Sequence, residues 1–500
     1  MTLAWILFAI YLGGTAWLGW LGFKKTRDFG SFAIGSGDMS PLVVGITLAA
    51  STASASTFII NPGFVYVDGW AAWMHLAGSV YLGFVGMLIL LSFRFRRIGA
   101  ASQALTIPDW IGKRYSSKNF ALYFSIVNLF SFAFIVLLVG GISIVMQKLL
   151  QVNNETALMI TLVFVTAYVF LGGTYAHVYT NVFQGSLMIL VTLMVVYSGL
   201  VIMLKSDPPF WQQVAAIDPN LVKLVNPESK LYNDFFSIYV SGFLIGAALV
   251  CQPHILTKAL YVKSDQAVKR YIGVFGIGFF LFLLLLLVGF WARVAVPAEA
   301  LMDPTTGAFR QDLVMTVYLQ QVFPDWVFTL ISIVLLAAAM STLDGLLVGI
   351  STITANDFVL NLMNRFGAGK RSPEAQMRIA YRASHLVLIL LAVSVYFVNL
   401  HPPKLLGIFG QTGVYGLVLA TVPPLLMGVL FEKVSMTLVW IASLVAIVIH
   451  FGLFFYGTTL FPESGLAFGN PGLTGAIALL LSNTPVVLAT WWTNKRRPTV

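Results

Sequence analysis

A segment rich in hydroxyl side chains interrupts an apolar stretch in the first tenth of the chain. Five serine and threonine residues fall within seven positions there: Ser51, Thr52, Ser54, Ser56 and Thr57. A helix in lipid must satisfy its own backbone polar groups, so it opens only where protein or a water-filled cavity replaces lipid. Small residues leave backbone carbonyls accessible, and carbonyl and hydroxyl oxygens suit a hard cation. Close helix packing recruits the same residue types and is the alternative interpretation.

A single carboxylate lies in the middle of a long apolar stretch in the second half of the chain. Asp344 follows Ser341 and Thr342, and apolar residues flank all three. A charged side chain at the centre of a bilayer costs roughly 2.5–3.5 kcal/mol on insertion scales, so Asp344 is a functional candidate. The sequence predicts no lysine or arginine in the middle of a span to neutralise it. A bound cation, with sodium favoured by the all-oxygen surroundings, or a proton is therefore expected; the alternative is a protonated Asp344 bonded to a neighbouring helix.

The composition identifies the environment of these residues. The 500-residue chain is 58% hydrophobic and 10% charged, with a mean hydropathy of +0.88. Soluble domains carry about 25% charged residues, so the chain is predicted to be a polytopic membrane protein. Long apolar runs recur throughout, which predicts one membrane domain over residues 1–500. The single cysteine, Cys251, excludes an intramolecular disulfide and a thiolate metal site within the chain.

Runs of about 20 apolar residues predict thirteen transmembrane helices in an all-α protein. They cover residues 3–22, 41–65, 70–93, 120–147, 155–172, 177–203, 236–257, 271–295, 326–361, 379–399, 405–430, 434–456 and 472–492.

Basic residues concentrate in alternate predicted loops. These loops lie at residues 24–27, 94–118, 258–270, 365–382, 433 and 495–497, and Lys258 is assigned to the third of them. Positive residues stay on the cytoplasmic side, so the N-terminus is expected outside and the C-terminus inside. The net charge of +10 is therefore interpreted as a topology signal, aided by anionic lipid, and not as a nucleic-acid-binding surface.

The two polar, small-residue segments, 49–57 and 337–345, are separated by about 290 residues. Transporters built from inverted repeats place their ion and substrate sites at interrupted helices of this kind. The predicted organisation has four parts: an extra helix and inner loop (1–40), a first repeat (41–204), a second repeat with an outer loop (205–430) and two C-terminal helices (431–500).

Five short motifs connect the chain to a known family. They are Phe32-Ala33-Ile34-Gly35-Ser36-Gly37, Thr106-Ile107-Pro108-Asp109, Gly172-Gly173 followed by Tyr179-Thr180-Asn181-Val182-Phe183-Gln184, Gln252-Pro253-His254 and Met340-Ser341-Thr342-Leu343. Through their order and spacing, the chain from about residue 30 to 430 resembles the sodium:solute symporter family, in its proline and pantothenate branch. The resemblance implies a five-plus-five inverted-repeat core with a broken first core helix and one helix before the core.

The resemblance also implies ion-binding residues. The main sodium site carries over to Ala50, Ala53, Ala338, Ser341 and Thr342. Some relatives hold a second sodium with an Asp on the fifth core helix, and that position is Asn181 here. The matching residues of this possible second sodium or proton site are Ser54, Thr57, Asn181 and Asp344. We interpret Asp344 as a carboxylate moved from the fifth core helix to the eighth.

Six residues are expected to contact the transported solute: Ser56, Thr57, Trp73, His75, Gln252 and Gln411. His75 also has the simpler interpretation of a packed histidine, and Pro253 that of a helix kink.

Together these features predict a sodium-coupled secondary active symporter in a bacterial inner membrane. It would import a small amino acid such as proline, or a small organic acid, by alternating access. No enzyme activity, no obligate protein partner and no cofactor other than the coupling Na⁺ are expected. The alternatives are a proton-coupled symporter that uses Asp344, a transporter of sugar-like solutes, and a channel or sensor.

Overall fold

The computed structural model describes residues 2–54, 56–303, 307–365, 372–403 and 406–495. Four basic residues of the topology argument lie outside these ranges: Lys370, Arg371, Arg496 and Arg497. Within the described ranges the regular structure is helical, as the composition predicts.

The predicted spans all fall on helical segments. Among the described residues, ten helices are long and apolar enough to cross a membrane, and two further bent pairs each meet the same test together. We label the segments α1 (Thr2–Lys25), α2a (Pro41–Thr52), α2b (Ser56–Asp68), α3 (Trp70–Ser102), α4 (Lys118–Leu150), α5 and α6 (the two parts of Asn154–Lys205), α7a (Phe236–Leu249), α7b (Pro253–Tyr261), α8 (Asp265–Ala295), α9 (Asp325–Arg365), α10 (Pro373–Leu400), α11 (Leu406–Leu430), α12 (Met436–Leu460) and α13 (Pro471–Lys495).

A glycine divides the 52-residue segment Asn154–Lys205 into α5 (154–172) and α6 (174–205). At 1.5 Å per residue the segment would be about 78 Å long, more than twice the ~30 Å hydrocarbon core. Gly173 has φ 48° and ψ −133°, a conformation that L-residues with side chains rarely adopt. A Cβ atom there would lie 2.5 Å from the Phe32 ring. The segment therefore accommodates the two spans that the sequence predicts.

The predicted break in the first core helix is present between α2a and α2b. The hydroxyls of Ser51 and Thr52 donate to the carbonyls of Thr47 and Leu48, both over 2.7 Å. Such bonds to the preceding turn compete with regular helix geometry. The helix ends at Ala53, with φ −80° and ψ 72°, and α2b is bent from α2a by more than 40°.

A second break separates α7a from α7b, which are bent by 65°. Proline disfavours helical geometry in the residue before it, and Gln252 is extended, with φ −67° and ψ 141°. Pro253 then begins α7b. Proline lacks an N–H group, and the first residues of a helix need no N–H group for bonds within the helix. Pro253 thus interrupts the span completely, and does more than kink it.

The centre of the molecule is α9, which contacts α2a, α4, α5–α6 and α7b. Residues 331–348 of α9 are all buried. Peripheral helices instead present large apolar side chains outward, as Phe397 of α10 and Val448 of α12 do. Because lipid replaces water around these helices, such exposed apolar side chains are expected.

Candidate functional site

The break after α2a meets the middle of α9. The Ser341 hydroxyl donates to the Ala50 carbonyl over 2.9 Å and to the Ala338 carbonyl over 2.7 Å. The Thr342 hydroxyl donates to the Ser51 carbonyl over 2.8 Å. Two hydroxyl and three carbonyl oxygens thus converge in a fully buried place, and these are the ligands of a hard cation.

Four of the five residues predicted for the main sodium site are therefore brought together. The fifth, Ala53, is buried at the end of α2a, where its N–H group donates to the Ala49 carbonyl. The Ser51 carbonyl is an addition that the sequence did not single out, although it lies next to Ala50. The donor set fits a sodium ion held between α2a and α9.

Asp344 lies one helical turn after Ser341 and is completely buried. Its Oδ1 accepts hydrogen bonds from His177 Nδ1 over 2.8 Å and Asn181 Nδ2 over 3.2 Å. Its Oδ2 accepts from the hydroxyls of Tyr168 and Thr180, each over 3.1 Å. Four donors from α5 and α6 therefore surround the carboxylate.

The predicted second cation site is divided between two places. Asn181 and Asp344 are in contact, as the resemblance implies for the site. Ser54 and Thr57 instead line a cavity beside the α2 break. The described residues thus place the carboxylate and these two hydroxyls in different surroundings.

The assignment of Lys258 to an inner loop is wrong. Lys258 lies within α7b and is completely buried. Its Nζ donates to the His254 carbonyl over 2.7 Å and lies 3.1 Å from His177 Nε2. A lysine side chain therefore contacts His177, which in turn contacts Asp344, although the sequence predicts no lysine or arginine in the middle of a span to neutralise this carboxylate. The 65° bend before α7b turns this end of the seventh span back into the protein.

Sequence reasoning also missed His177 and Tyr168 as partners of Asp344. One signal was available for His177, because it lies four positions before Asn181 and so shares its helix face. Lys258 has the same spacing from His254. Neither spacing identifies Asp344, which is 167 positions from His177, as the partner.

A central cavity of about 120 Å³ opens beside α2b. Five of the six predicted solute contacts line it: Ser56, Thr57, His75, Gln252 and Gln411. The sixth, Trp73, is not among the lining residues; its ring packs edge-to-face against Trp70 with centroids 5.3 Å apart. His75 is held by the Ser237 and Ile238 carbonyls, at 2.9 and 3.1 Å from its Nδ1.

The described lining of this cavity contains no lysine, arginine, aspartate or glutamate. Three buried polar atoms of the lining have no hydrogen-bond partner among the residues that the structure describes: Asn61 Oδ1, Gln252 Oε1 and His254 Nδ1. Buried polar atoms are usually paired, so unpaired atoms at a cavity indicate a place for a polar ligand. The two amide oxygens accept hydrogen bonds and therefore suit a solute that carries N–H or O–H groups.

Two further cavities adjoin the central one on opposite sides. A vestibule of about 660 Å³ shares Phe64, Leu231 and Ile408 with it and extends to Arg310, in the outer loop that the predicted topology places between α8 and α9. A cavity of only about 20 Å³ shares His254 with it and extends towards Thr106 in a predicted inner loop. The central cavity is thus approached by a wide space on one side and a narrow one on the other.

An all-helical membrane protein with two broken spans around a central polar cavity belongs to the class of membrane transporters. The family model for the sodium:solute symporter family matches residues 32–446. The chain belongs to this family, and the predicted resemblance is confirmed.

Named relatives and solved structures agree with this assignment. The chain is 25% identical to the sodium/pantothenate symporter of Haemophilus influenzae over 434 residues, which cover 86% of this chain and 85% of the relative. It is 24% identical to sodium/proline symporter 2 of Staphylococcus saprophyticus over 399 residues, 78% and 74% of the two chains.

Two solved structures share the fold. One is a Na⁺-coupled sialic acid symporter in a substrate-bound outward-open state, with a TM-score of 0.75 and 15% identity over 97% of both chains. The other is a nucleobase-cation-symport-1 family transporter in a closed conformation, with a TM-score of 0.50 and 15% identity over 93% of this chain and 95% of the other. At these identities the likeness concerns the fold alone.

Proposed function

We propose that this protein is a sodium-coupled symporter that moves a small organic solute across the membrane by alternating access. The observation that carries the proposal is the meeting of Ser341 and Thr342 with the Ala50 and Ser51 carbonyls at the α2 break. A sodium ion held by these oxygens links α2a to α9. The same break supplies Ser56 and Thr57 to the central cavity, so sodium binding orders the segment that contacts the solute.

The solute we propose is a small amino acid, with proline leading, or a small organic acid. No charged side chain lines the described part of the cavity, so an anionic group is held by hydroxyls, backbone amides or sodium itself. The unpaired oxygens of Asn61 and Gln252 favour a solute with hydrogen-bond donors. The names of the proline and pantothenate relatives support this choice. A sugar-like solute is the second candidate, because its hydroxyls suit the same oxygens.

The cavities support an outward-facing conformation in the predicted topology, with the N-terminus outside. The wide vestibule lies on the side of the outer loop that holds Arg310, and the narrow cavity lies on the inner side. Closing the vestibule and widening the inner cavity would release sodium and solute inside. A membrane potential of 100 mV contributes roughly 2.3 kcal/mol per charge moved, which corresponds to about fifty-fold accumulation per sodium.

Thermal unfolding of the purified full-length protein tests the proposal. Sodium replaces potassium at constant ionic strength, and a ligand that binds the folded state raises the melting temperature in a saturable manner. Amino acids, organic acids and sugars are then added in sodium. A rise with sodium, and a further rise with one solute class, is the expected result.

Two matched variants sharpen this experiment. Ser341→Ala removes the hydroxyl that reaches Ala50 and is expected to abolish most of the sodium effect. Ser351→Ala removes a buried hydroxyl of the same helix whose one recorded acceptor within the described ranges is the Val348 carbonyl, so this variant should keep the effect. No response to sodium in the wild-type protein, with stability that depends on pH instead, would favour the proton-coupled alternative.

A further inference from the structure

We propose that Lys258 supplies the positive charge that balances Asp344, through the imidazole of His177. The Lys258 ammonium group then takes the place of a second sodium ion near Asp344, and sodium binds only between α2a and α9. This inference rests on the proposed sodium-coupled function and concerns how many ions that function uses.

Hydrogen bonds from the protein engage both carboxylate oxygens of Asp344. Each carboxylate oxygen accepts two hydrogen bonds, and the four donors belong to Tyr168, His177, Thr180 and Asn181. All four side chains are buried, with at most 4% exposure. The Thr180 hydroxyl can also donate to the Ala176 carbonyl, 2.9 Å away. A sodium ion at Asp344 would still have to displace at least one of the remaining three donors, and the loss of a buried hydrogen bond is costly.

The same contacts determine the tautomer of His177. Asn181 Nδ2 carries two hydrogens, and it donates them to the His177 carbonyl, over 2.8 Å, and to Asp344 Oδ1, over 3.2 Å. Asn181 Nδ2 also lies 2.6 Å from His177 Nδ1, but it has no third hydrogen to donate there. The imidazole therefore uses its Nδ1–H group to donate to Asp344. In that neutral tautomer Nε2 carries a lone pair, and it accepts a hydrogen bond from Lys258 Nζ, 3.1 Å away.

The arrangement pairs two opposite charges that are both buried. Among the described residues, Lys258 is the one lysine or arginine side chain that is buried. A buried charge without a partner is strongly destabilising, and a partner of opposite charge offsets much of that cost. The chain Asp344–His177–Lys258 connects the buried carboxylate to the buried ammonium group through one imidazole.

The remaining ionisable neighbours do not replace Lys258. His254 lies on α7b beside it, and the Tyr261 ring is centred 5.9 Å from Lys258 Nζ. On the other side, Tyr11 of α1 bonds to Gln184 and to the Met340 sulfur. Tyrosines and a histidine carry no fixed positive charge, so Lys258 is the group that balances Asp344 here.

Each member of the chain lies on a different element: Asp344 on α9, His177 on α6 and Lys258 on α7b. The balance therefore exists only while the short half-helix α7b packs against α6 and α9. An ion from solution would leave the protein when the inner side opens, whereas the Lys258 ammonium group remains attached.

Equilibrium binding of radioactive sodium to the purified full-length protein tests the ion count. One sodium per protein with a Hill coefficient near 1 is expected, and Asp344→Asn combined with Lys258→Met should still bind one. Two sodium ions in the wild-type protein, or one ion lost in the double variant, would overturn the inference while leaving sodium coupling intact. No saturable sodium binding would refute the proposed function instead.

A stability cycle in potassium tests the link between the two residues without any sodium. Asp344→Asn and Lys258→Met each leave one buried charge unpaired, so each should lower the melting temperature. The double variant should melt above both single variants, because it leaves no unpaired charge. Lys263→Met, in the exposed loop beside α7b, is the matched control and should be neutral. A double variant that melts below both single variants would overturn the link.

Discussion

The Thr342 hydroxyl donates to the Ser51 carbonyl over 2.8 Å and so joins two segments that are 291 residues apart. Both residues are buried, and the bond crosses from the middle of α9 to the last turn of α2a. The α2 break begins at Ala53, two residues after Ser51. A movement of α9 at Thr342 would therefore also move the end of α2a, and the reverse.

Replacing Thr342 by valine should weaken sodium binding about fivefold, since one buried hydrogen bond or ligand contributes on the order of 1 kcal/mol. The measurement is the sodium concentration that gives half of the maximal rise in melting temperature. Thr352→Val is the control, because Thr352 is also buried on α9 and its hydroxyl has no partner among the described residues. Equal sodium affinities of the two variants would contradict a role for the Thr342 hydroxyl.

Replacing Gln252 by methionine should weaken solute binding about tenfold and leave the sodium effect unchanged. The amide oxygen of Gln252 has no hydrogen-bond partner in the described part of the chain, and Gln252 lines the central cavity. The oxygens of the proposed sodium site lie instead on α2a and α9. The solute identified by thermal screening serves as the probe, in uptake by proteoliposomes and in melting experiments. Gln320→Met changes an exposed glutamine and should have no effect. A loss of the sodium response in Gln252→Met would argue against separate sites.

Replacing Gly173 by alanine should destabilise the protein by about 1–3 kcal/mol, since a side chain is strained at its positive φ. The new Cβ would also lie 2.5 Å from the Phe32 ring. The readout is the melting temperature together with the monodisperse fraction in detergent. Gly13→Ala, where nothing lies within 4 Å of the added atom, should keep or slightly raise the melting temperature. A neutral Gly173→Ala variant would show that α5 and α6 need no sharp break.

Cysteine labelling should reveal opposite sides for two exposed loops. Glu228 is exposed in the loop between α6 and α7a, which the predicted topology places outside, so Glu228→Cys should react with an impermeant maleimide in intact cells. Lys263→Cys should react only after the membrane is opened. The natural Cys251 is fully buried, so it should add little background. The reverse pattern would mean that the charge-based topology is inverted.

Much of the fold could be predicted from the sequence alone. Span number and position follow from local composition, because about 20 apolar residues are needed to cross the hydrocarbon core. The break near Ala53 was predictable from clustered hydroxyls, and the contact of α2a with α9 was predicted only through family resemblance. Tertiary structure added the Ser51 carbonyl and showed that Trp73 packs against Trp70, away from the cavity.

Asp344 could be recognised as unusual from the sequence, because a mid-span carboxylate is costly wherever its partners lie. Its partners could not be recognised, because Lys258 stands at the end of an apolar run, where lysine normally reaches the membrane surface. Only the 65° bend before Pro253 turns α7b inward and brings Lys258 to His177, 81 residues away in the chain. Local composition determines which segments enter the membrane, while the packing of distant helices decides which charges meet there.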